Sequence, residues 1–150
     1  MTVSGQPTVE ELMANHAGST RDLGILTAAV GETLTADIEV LPELWLPGTD
    51  VVRTSVLVTL ADVVAGKFAN ASTFPRVCVT LDLDLHLLAV PGGAGFEAGR
   101  SLTARSWVVR AGQRIVVMGV ELFDTEGRVF AVGNAGFMVS PNPAHEVADG

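Results

Sequence analysis

The sequence has one cysteine and few basic residues, and both shortages exclude classes of function. Cys78 has no second cysteine as a partner, which excludes an intramolecular disulfide and a cysteine-cluster metal site. The 9 Lys and Arg residues against 17 Asp and Glu residues give a formal net charge of -8. Nucleic acid is therefore not expected as the main partner, because binding to phosphates requires a basic surface.

Export and membrane-spanning signals are also missing. The opening residues, MTVSGQPTVEEL, contain neither a basic stretch nor an apolar core, which predicts a cytoplasmic protein. The apolar stretch at residues 52–69 is too short and too polar at its ends to span a bilayer, which requires about 20 apolar residues.

The composition itself is that of a folded protein. Hydrophobic residues make up 48% of the chain and charged residues 17%, which argues against disorder. We expect one domain over residues 1–150, since this length can bury a sizeable core. The mean hydropathy of +0.41 is high and suggests that apolar surface is buried between subunits.

A central helix is predicted at residues 52–69. Apolar side chains occupy nearly every face of it, and a helix of this kind is normally buried. Its start is expected near Arg53, with the Thr54 or Ser55 side chain as the cap. Asp62 lies in its middle, where loss of hydration costs several kcal/mol, on the order of 2–7, unless partners compensate.

Strands are predicted on both sides of this helix. The best marked is at 76–88, where apolar and polar residues alternate strictly and so predict one buried and one polar face. Residues 1–18 are predicted as a leader containing a short helix at 8–16, begun by a capping box of Thr8 and Glu11. The other predicted segments are strands at 23–30, 33–41, 101–110, 114–123 and 129–139, and a mobile tail at 140–150. The class is therefore α+β, with an antiparallel sheet covering one helix.

Several segments resemble one protein family. They are Leu60-Ala61-Asp62 in the helix, the strand segment 80–88, the hairpin 108–114 and the segment 126–131. Together they are similar to hotdog-fold acyl-CoA thioesterases of the phenylacetate-degradation (PaaI-like) type. The resemblance covers roughly residues 20–140. It implies a curved antiparallel sheet of about six strands wrapped around one central helix.

The chain departs from the family at the start of the helix. The family's His-Gly-Gly is replaced by Arg53-Thr54-Ser55, and its Asn-Pro-x-Gly run by residues 45–48, Trp-Leu-Pro-Gly. The family's glycines let a thioester carbonyl approach the backbone, whereas Thr54 and Ser55 carry side chains. Two hypotheses follow: a thioester hydrolase, or a non-catalytic hotdog protein that binds acyl-CoA or lipid. A dehydratase is disfavoured, since no histidine lies in the helix.

The resemblance implies a site for hydrolysis. The N–H groups of residues 54–56 would stabilise an oxyanion. Asp62 would act as general base or nucleophile on a carbonyl held by the partner subunit. Thr80 would position the water. The alternatives are a structural acid at Asp62, held by backbone donors or by an arginine, and an ordinary polar residue at Thr80 on an exposed strand face.

Coenzyme A is expected as part of the substrate, with no separate cofactor and no metal. Its phosphates require a local basic patch, for which the candidates are Arg110, Gly112 and Arg114 in the hairpin, with Arg105 and Lys67. The alternative is an ordinary solvated turn. Trp45 and Trp107 could line the acyl pocket, but large aromatic residues more often belong to the core or to an interface. Asp82, Asp84 and His86 are spaced so that they could bind a metal ion, but a solvated strand face or a subunit contact is favoured.

The strand predicted at 76–88 is also expected to form a subunit contact. Pairing with its own copy would extend the sheet and cover an exposed edge. We therefore predict a homodimer, with a homotetramer built as a dimer of dimers as the further option.

Overall fold

The computed structural model describes residues 26–30, 32–92 and 101–143. These contain a long helix, α1 (Thr54–Thr73), preceded by a single 3-10 turn, Pro42–Leu44. The strands are β1 (Leu26–Val30), β2 (Thr33–Glu39), β3 (Arg76–Leu87), β4 (Ser101–Ala111), β5 (Ile115–Asp124) and β6 (Val129–Pro143). The helix predicted at 8–16, with its capping box, lies outside the described residues.

The strands of the described ranges form one sheet in the order β1-β2-β4-β5-β6-β3. All neighbouring pairs are antiparallel. The chain leaves β2, passes through α1 and re-enters the sheet at the opposite edge as β3, so the helix lies across one face of the sheet. The predicted hotdog architecture is confirmed: an antiparallel sheet of six strands packed on a central helix.

The core lies between α1 and the sheet. Leu57, Leu60 and Val64 on the helix are at most 1% exposed, and they pack with Ile38, Leu102, Val120 and Leu122 from the strands. Full burial of a side chain of this size contributes about 1.5–3 kcal/mol. The helix is nevertheless not covered on every side of the protomer, since Val58 remains 39% exposed.

Helix α1 ends four residues later than predicted. The Thr73 hydroxyl donates to the Ala69 carbonyl at 3.0 Å, as a helical side chain commonly does. Phe74 then leaves the helix with φ -47° and ψ 137°, because the residue before a proline is driven out of the helical region by Pro75.

The predicted strict alternation of β3 is wrong. Val77, Val79 and Leu81 are 42%, 53% and 53% exposed, whereas Leu83 and Leu85 pack against the core. The cause is a shift in the pairing with β6, since Thr80 lies opposite Phe137 and Asp82 lies opposite Gly136. Leu81 is thus an extra residue in β3, and such a bulge exchanges the two faces of the strand.

The last strand is longer than predicted. Residues 140–143, assigned to the mobile tail, belong to β6, where Pro143 lies opposite Arg76. The rest of the predicted tail, 144–150, lies outside the described residues.

The turn between β5 and β6 is built around a buried acid. Asp124 is 1% exposed. Its Oδ1 accepts from the N–H groups of Glu126 and Arg128, and its Oδ2 accepts from Arg128 Nε, each at 2.9 Å. Burial raises the pKa of Asp124, but the hydrogen bonds from Arg128 and Glu126 outweigh it and hold the pKa below its ordinary value.

Candidate active site

The N-terminus of α1 is fixed by Arg53, which occupies the N-cap with φ -60° and ψ 135°. Its N–H donates to the Leu44 carbonyl at 2.9 Å and its Nε donates to the Trp45 carbonyl at 2.8 Å. Capping by the Thr54 or Ser55 side chain is therefore a wrong prediction. These anchors begin the helix one residue earlier, and both hydroxyl residues fall inside it.

Of the three backbone N–H groups predicted as oxyanion donors, one is engaged within the first turn of α1. The Val56 N–H donates to the Arg53 carbonyl at 3.0 Å and is already engaged. Thr54 and Ser55 are exposed and stand at the first helical positions, where backbone N–H groups have no intrahelical acceptor. A donor pair with the positive end of the helix dipole behind it thus faces solvent.

Asp62 and Thr80 meet between α1 and the edge strand β3. The Thr80 hydroxyl donates to Asp62 Oδ1 at 2.9 Å. Asp62 is half-buried in the protomer, less than its apolar surroundings in the sequence predicted. Thr80 does not simply occupy an outer strand face, because its hydroxyl is turned toward the helix. The pair can hold a water molecule, which can donate to the Asp62 carboxylate or to the oxygen of the Thr80 hydroxyl.

The hairpin between β4 and β5 brings three predicted residues together. Arg110, Gly112 and Arg114 line a cavity of about 440 Å³. Gly112 is required there, because its N–H donates to the Ile115 carbonyl and a Cβ would lie 2.6 Å from that oxygen. The hairpin therefore holds two guanidinium groups beside a concave surface.

Sequence reasoning missed a third arginine at this place. Arg76 Nη1 donates to the Gln113 carbonyl at 3.0 Å. Arg76 also lines, with Arg114, a second cavity of about 460 Å³. No sequence signal marks this contact, since the two residues are 37 positions apart.

Arg105 and Lys67 do not join this cluster. Arg105 forms an ion pair with Glu121 and lies over the Phe123 ring, 5.4 Å from its centroid. Lys67 is 3% exposed on α1, and burial lowers its pKa below the ordinary 10.5. The expectation that Lys67 offers a surface charge to a phosphate is therefore wrong.

The two tryptophans have different surroundings. Trp45 packs against the core, and its indole N–H is buried with no hydrogen-bond partner in the described structure. Trp107 lies over Gly119, where a Cβ would come within 2.5 Å of Trp107 Nε1. The buried residues of β4 are at alternate positions, Leu102, Ala104 and Ser106, and Trp107 is out of phase with them, so it lies on the face away from α1.

The three β3 residues considered as metal ligands, Asp82, Asp84 and His86, do not form a metal site in the structure. Asp82 Oδ1 accepts from the Gly136 N–H at 3.0 Å. The side chains of Asp84 and His86 are 81% and 71% exposed, and His86 Nε2 lies 3.7 Å from Asp84 Oδ1. Within residues 26–30, 32–92 and 101–143, no cluster of three potential ligands is close enough to hold a metal ion. No helix in these ranges has the length and hydropathy to cross a bilayer.

Comparison with known proteins places these features in a family. The model of the thioesterase superfamily matches residues 51–131, more than half of the chain. Among curated protein sequences, none matches significantly.

Solved structures share the fold at low identity. A thioesterase from Haemophilus influenzae aligns at 21% identity over 95% of this chain and 96% of its own, with a TM-score of 0.80. The Escherichia coli PaaI protein from the phenylacetic acid degradation operon aligns at 19% identity over 87% and 90%, with a TM-score of 0.75. A hypothetical thioesterase from Streptococcus pneumoniae, solved with coenzyme A, aligns at 18% identity over 80% and 91%, with a TM-score of 0.67. The family match and the shared fold together establish that this chain belongs to the thioesterase superfamily.

Proposed function

We propose that the protein is an acyl-CoA thioesterase that hydrolyses an acyl-CoA thioester to the free acid and coenzyme A. The observation that carries the proposal is the hydrogen bond from Thr80 to Asp62, 2.9 Å long, on the central helix of a thioesterase-superfamily domain. A carboxylate held in this way can accept a proton from water, and the hydroxyl can orient that water.

The proposed reaction has two steps. Asp62 accepts a proton from water as the oxygen attacks the thioester carbon, and the carbonyl oxygen becomes an oxyanion. The N–H groups of Thr54 and Ser55 stabilise that charge. The C–S bond then breaks, and the coenzyme A thiolate receives the proton from Asp62. Direct attack by Asp62, followed by hydrolysis of the resulting anhydride, is the alternative route.

The proposed site is shared between two copies of the chain. Asp62 lies about two turns beyond Ser55, roughly 10 Å along the helix axis. A carbonyl oxygen must lie about 3 Å from its N–H donors, and the base must reach its water at a similar distance. By the resemblance to the family, the amides of one subunit would act with Asp62 of the other, and this separation along the helix is consistent with such a shared site.

The edge of the sheet supports such a dimer. β3 is one of the two edge strands of the described sheet, and Val77, Val79 and Leu81 on it are 42–53% exposed. Pairing of β3 with its copy would extend the sheet and cover this edge. Light scattering at micromolar concentration is expected to give at least a dimer, and a monomer would contradict the shared site.

The arginines at the hairpin are proposed to hold the phosphates of coenzyme A. Arg110 and Arg114 are exposed, and Arg76 reaches the same hairpin. Guanidinium groups bind phosphate with charge-assisted hydrogen bonds. The structure of the hypothetical thioesterase from Streptococcus pneumoniae, which has the same fold and was solved with coenzyme A, supports coenzyme A as the ligand.

A thiol-release assay over short, long and aromatic acyl-CoAs tests the proposal. Asp62→Ala and Asp62→Asn are expected to lose activity with unchanged circular dichroism and melting temperature. Asp84→Asn is the control, because that carboxylate is 81% exposed. Full activity in both Asp62 variants would reject the assigned base.

A non-catalytic acyl-CoA-binding or lipid-binding protein is the second candidate. It is favoured by the side chains of Thr54 and Ser55, which stand where the resembling family has glycine. This candidate predicts calorimetric binding of coenzyme A with no thiol release from any acyl-CoA of the panel.

A further inference from the structure

The bulge in β3 decides which side chain faces Asp62. β6 alternates regularly, with Ala135 and Phe137 buried on the inner face and Gly136 between them on the outer face. On β3 the inward side chains are Thr80 and Leu83, opposite Phe137 and Ala135. In a regular strand, consecutive inward side chains are two residues apart. Thr80 and Leu83 are three residues apart, because Leu81 is inserted between them.

A regular strand would present a different residue to the helix. A slip of one residue sends every side chain to the other face. Removal of the bulge would turn Leu81 inward in place of Thr80, or would move Leu83 and Leu85 out of the core. The hydroxyl beside Asp62 therefore depends on this irregularity.

Asp82 is hydrogen-bonded to β6 at the bulge. A bulge disrupts the ladder locally and leaves backbone groups without their regular partners. At this point the Gly136 N–H donates to Asp82 Oδ1 at 3.0 Å. A Cβ on Gly136 would lie 2.5 Å from the same oxygen, so the carboxylate and the glycine fit each other closely.

We propose that Asp82 is a positioning residue for the reaction: its carboxylate pins the β3 bulge to Gly136 and thereby holds the Thr80 hydroxyl on Asp62. This inference rests on the proposed function. Asp82 does not touch the reacting atoms and acts through the backbone of residues 80–82. The role requires of residue 82 only an acceptor oxygen within reach of the Gly136 N–H, since this donor is a neutral backbone group.

The kinetic test compares matched variants of the full chain. Asp82→Ala removes the acceptor, and Gly136→Ala displaces it by steric contact. Both are expected to lower kcat by about 10- to 100-fold with little change in KM, because small misplacements of catalytic groups have effects of this order. Asp82→Asn keeps an acceptor oxygen and is expected to stay within about threefold of the native kcat, since a neutral N–H needs only an acceptor. Asp84→Ala, on the same strand face, is the control.

A double-mutant cycle separates positioning from general stability. If Asp82 acts through the hydroxyl, Asp82→Ala in a Thr80→Val background causes no further loss of kcat. Losses that multiply would overturn the proposal, as would a folded Asp82→Ala variant with native kcat. Melting temperatures confirm that the variants compared are folded.

A crystal structure of Asp82→Ala provides a readout that does not need activity. The Thr80 Oγ1 to Asp62 Oδ1 distance is expected to exceed 3.5 Å, and a retained contact would overturn the proposal. Failure of the proposed function is distinct: the native protein would then release no thiol from any acyl-CoA, while the structure of the variant still decides the role of Asp82.

Discussion

The role assigned to the helix N-terminus can be tested by removing one backbone N–H without disturbing the helix. Thr54 is the first residue of α1, and proline is well tolerated at that position. The preceding residue, Arg53, already has φ -60° and ψ 135°, the extended conformation that a following proline favours. Thr54→Pro should therefore change the free energy of unfolding by less than about 1 kcal/mol.

The effect on catalysis should be much larger. Loss of one oxyanion donor lowers kcat by about 100- to 1,000-fold in enzymes that use such donors. Thr54→Ala retains the N–H and removes only the side chain, so it is the matched control and is expected to stay close to native activity. Steady-state thiol release and thermal melting of both variants measure the two effects.

Mixed dimers extend this test to the subunit arrangement. Thr54→Pro damages the amides of one subunit, and Asp62→Ala removes the carboxylate of the other. In a heterodimer one of the two sites combines intact amides with an intact Asp62. Random co-assembly of the inactive variants should therefore restore about a quarter of native activity, since half of the dimers are mixed and half of their sites are intact.

Two results would refute the reasoning. Native activity in a folded Thr54→Pro variant would show that the Thr54 N–H does not stabilise the oxyanion. Absence of recovery in co-expressed, co-purified mixed dimers would show that amides and carboxylate from the same chain serve one site.

Three further predictions concern stability. The pKa of Asp124 lies below its ordinary value of 3.8. Its ionised carboxylate therefore contributes fully to the free energy of unfolding above that pH, and this contribution is lost as the pH falls through the folded-state pKa. Acid denaturation of the native protein should show this loss, and Asp124→Asn should remove it. Gly119→Ala should lower stability by about 1–3 kcal/mol, because its Cβ would meet the Trp107 ring, and tryptophan fluorescence should report the displacement. Leu60→Ala should cost about 2–5 kcal/mol in urea unfolding, since Leu60 is 0% exposed.

Each of these has its own contradictory outcome. An unchanged acid transition in Asp124→Asn would remove the linkage argument. Native fluorescence and melting in Gly119→Ala would mean that the ring is not packed on residue 119. A loss below 1 kcal/mol for Leu60→Ala would place that side chain outside the core.

Local sequence patterns predicted most helices and strands, because the preference of a segment for helix or strand depends mainly on its own residues. The apolar stretch around Leu60 predicted the central helix, and Gly112 marked a hairpin that the structure contains. Proline and glycine explain the ends of elements in the same way, as Pro75 does for α1. The Asp62 position was likewise visible, since a carboxylate in an apolar stretch is conspicuous without any structure.

The contacts between polar side chains depended on how distant segments pair, which the sequence did not predict. The bulge at Leu81 depends on the register with β6, and this register turns Thr80 toward Asp62. The contact of Arg76 with Gln113 and the burial of Lys67 likewise depend on segments far apart in the chain. Sequence periodicity thus determined which stretches form helix or strand, because this preference follows from neighbouring residues. Only the tertiary structure determined which polar groups meet, because a hydrogen bond depends on positions in space that distant strands fix together.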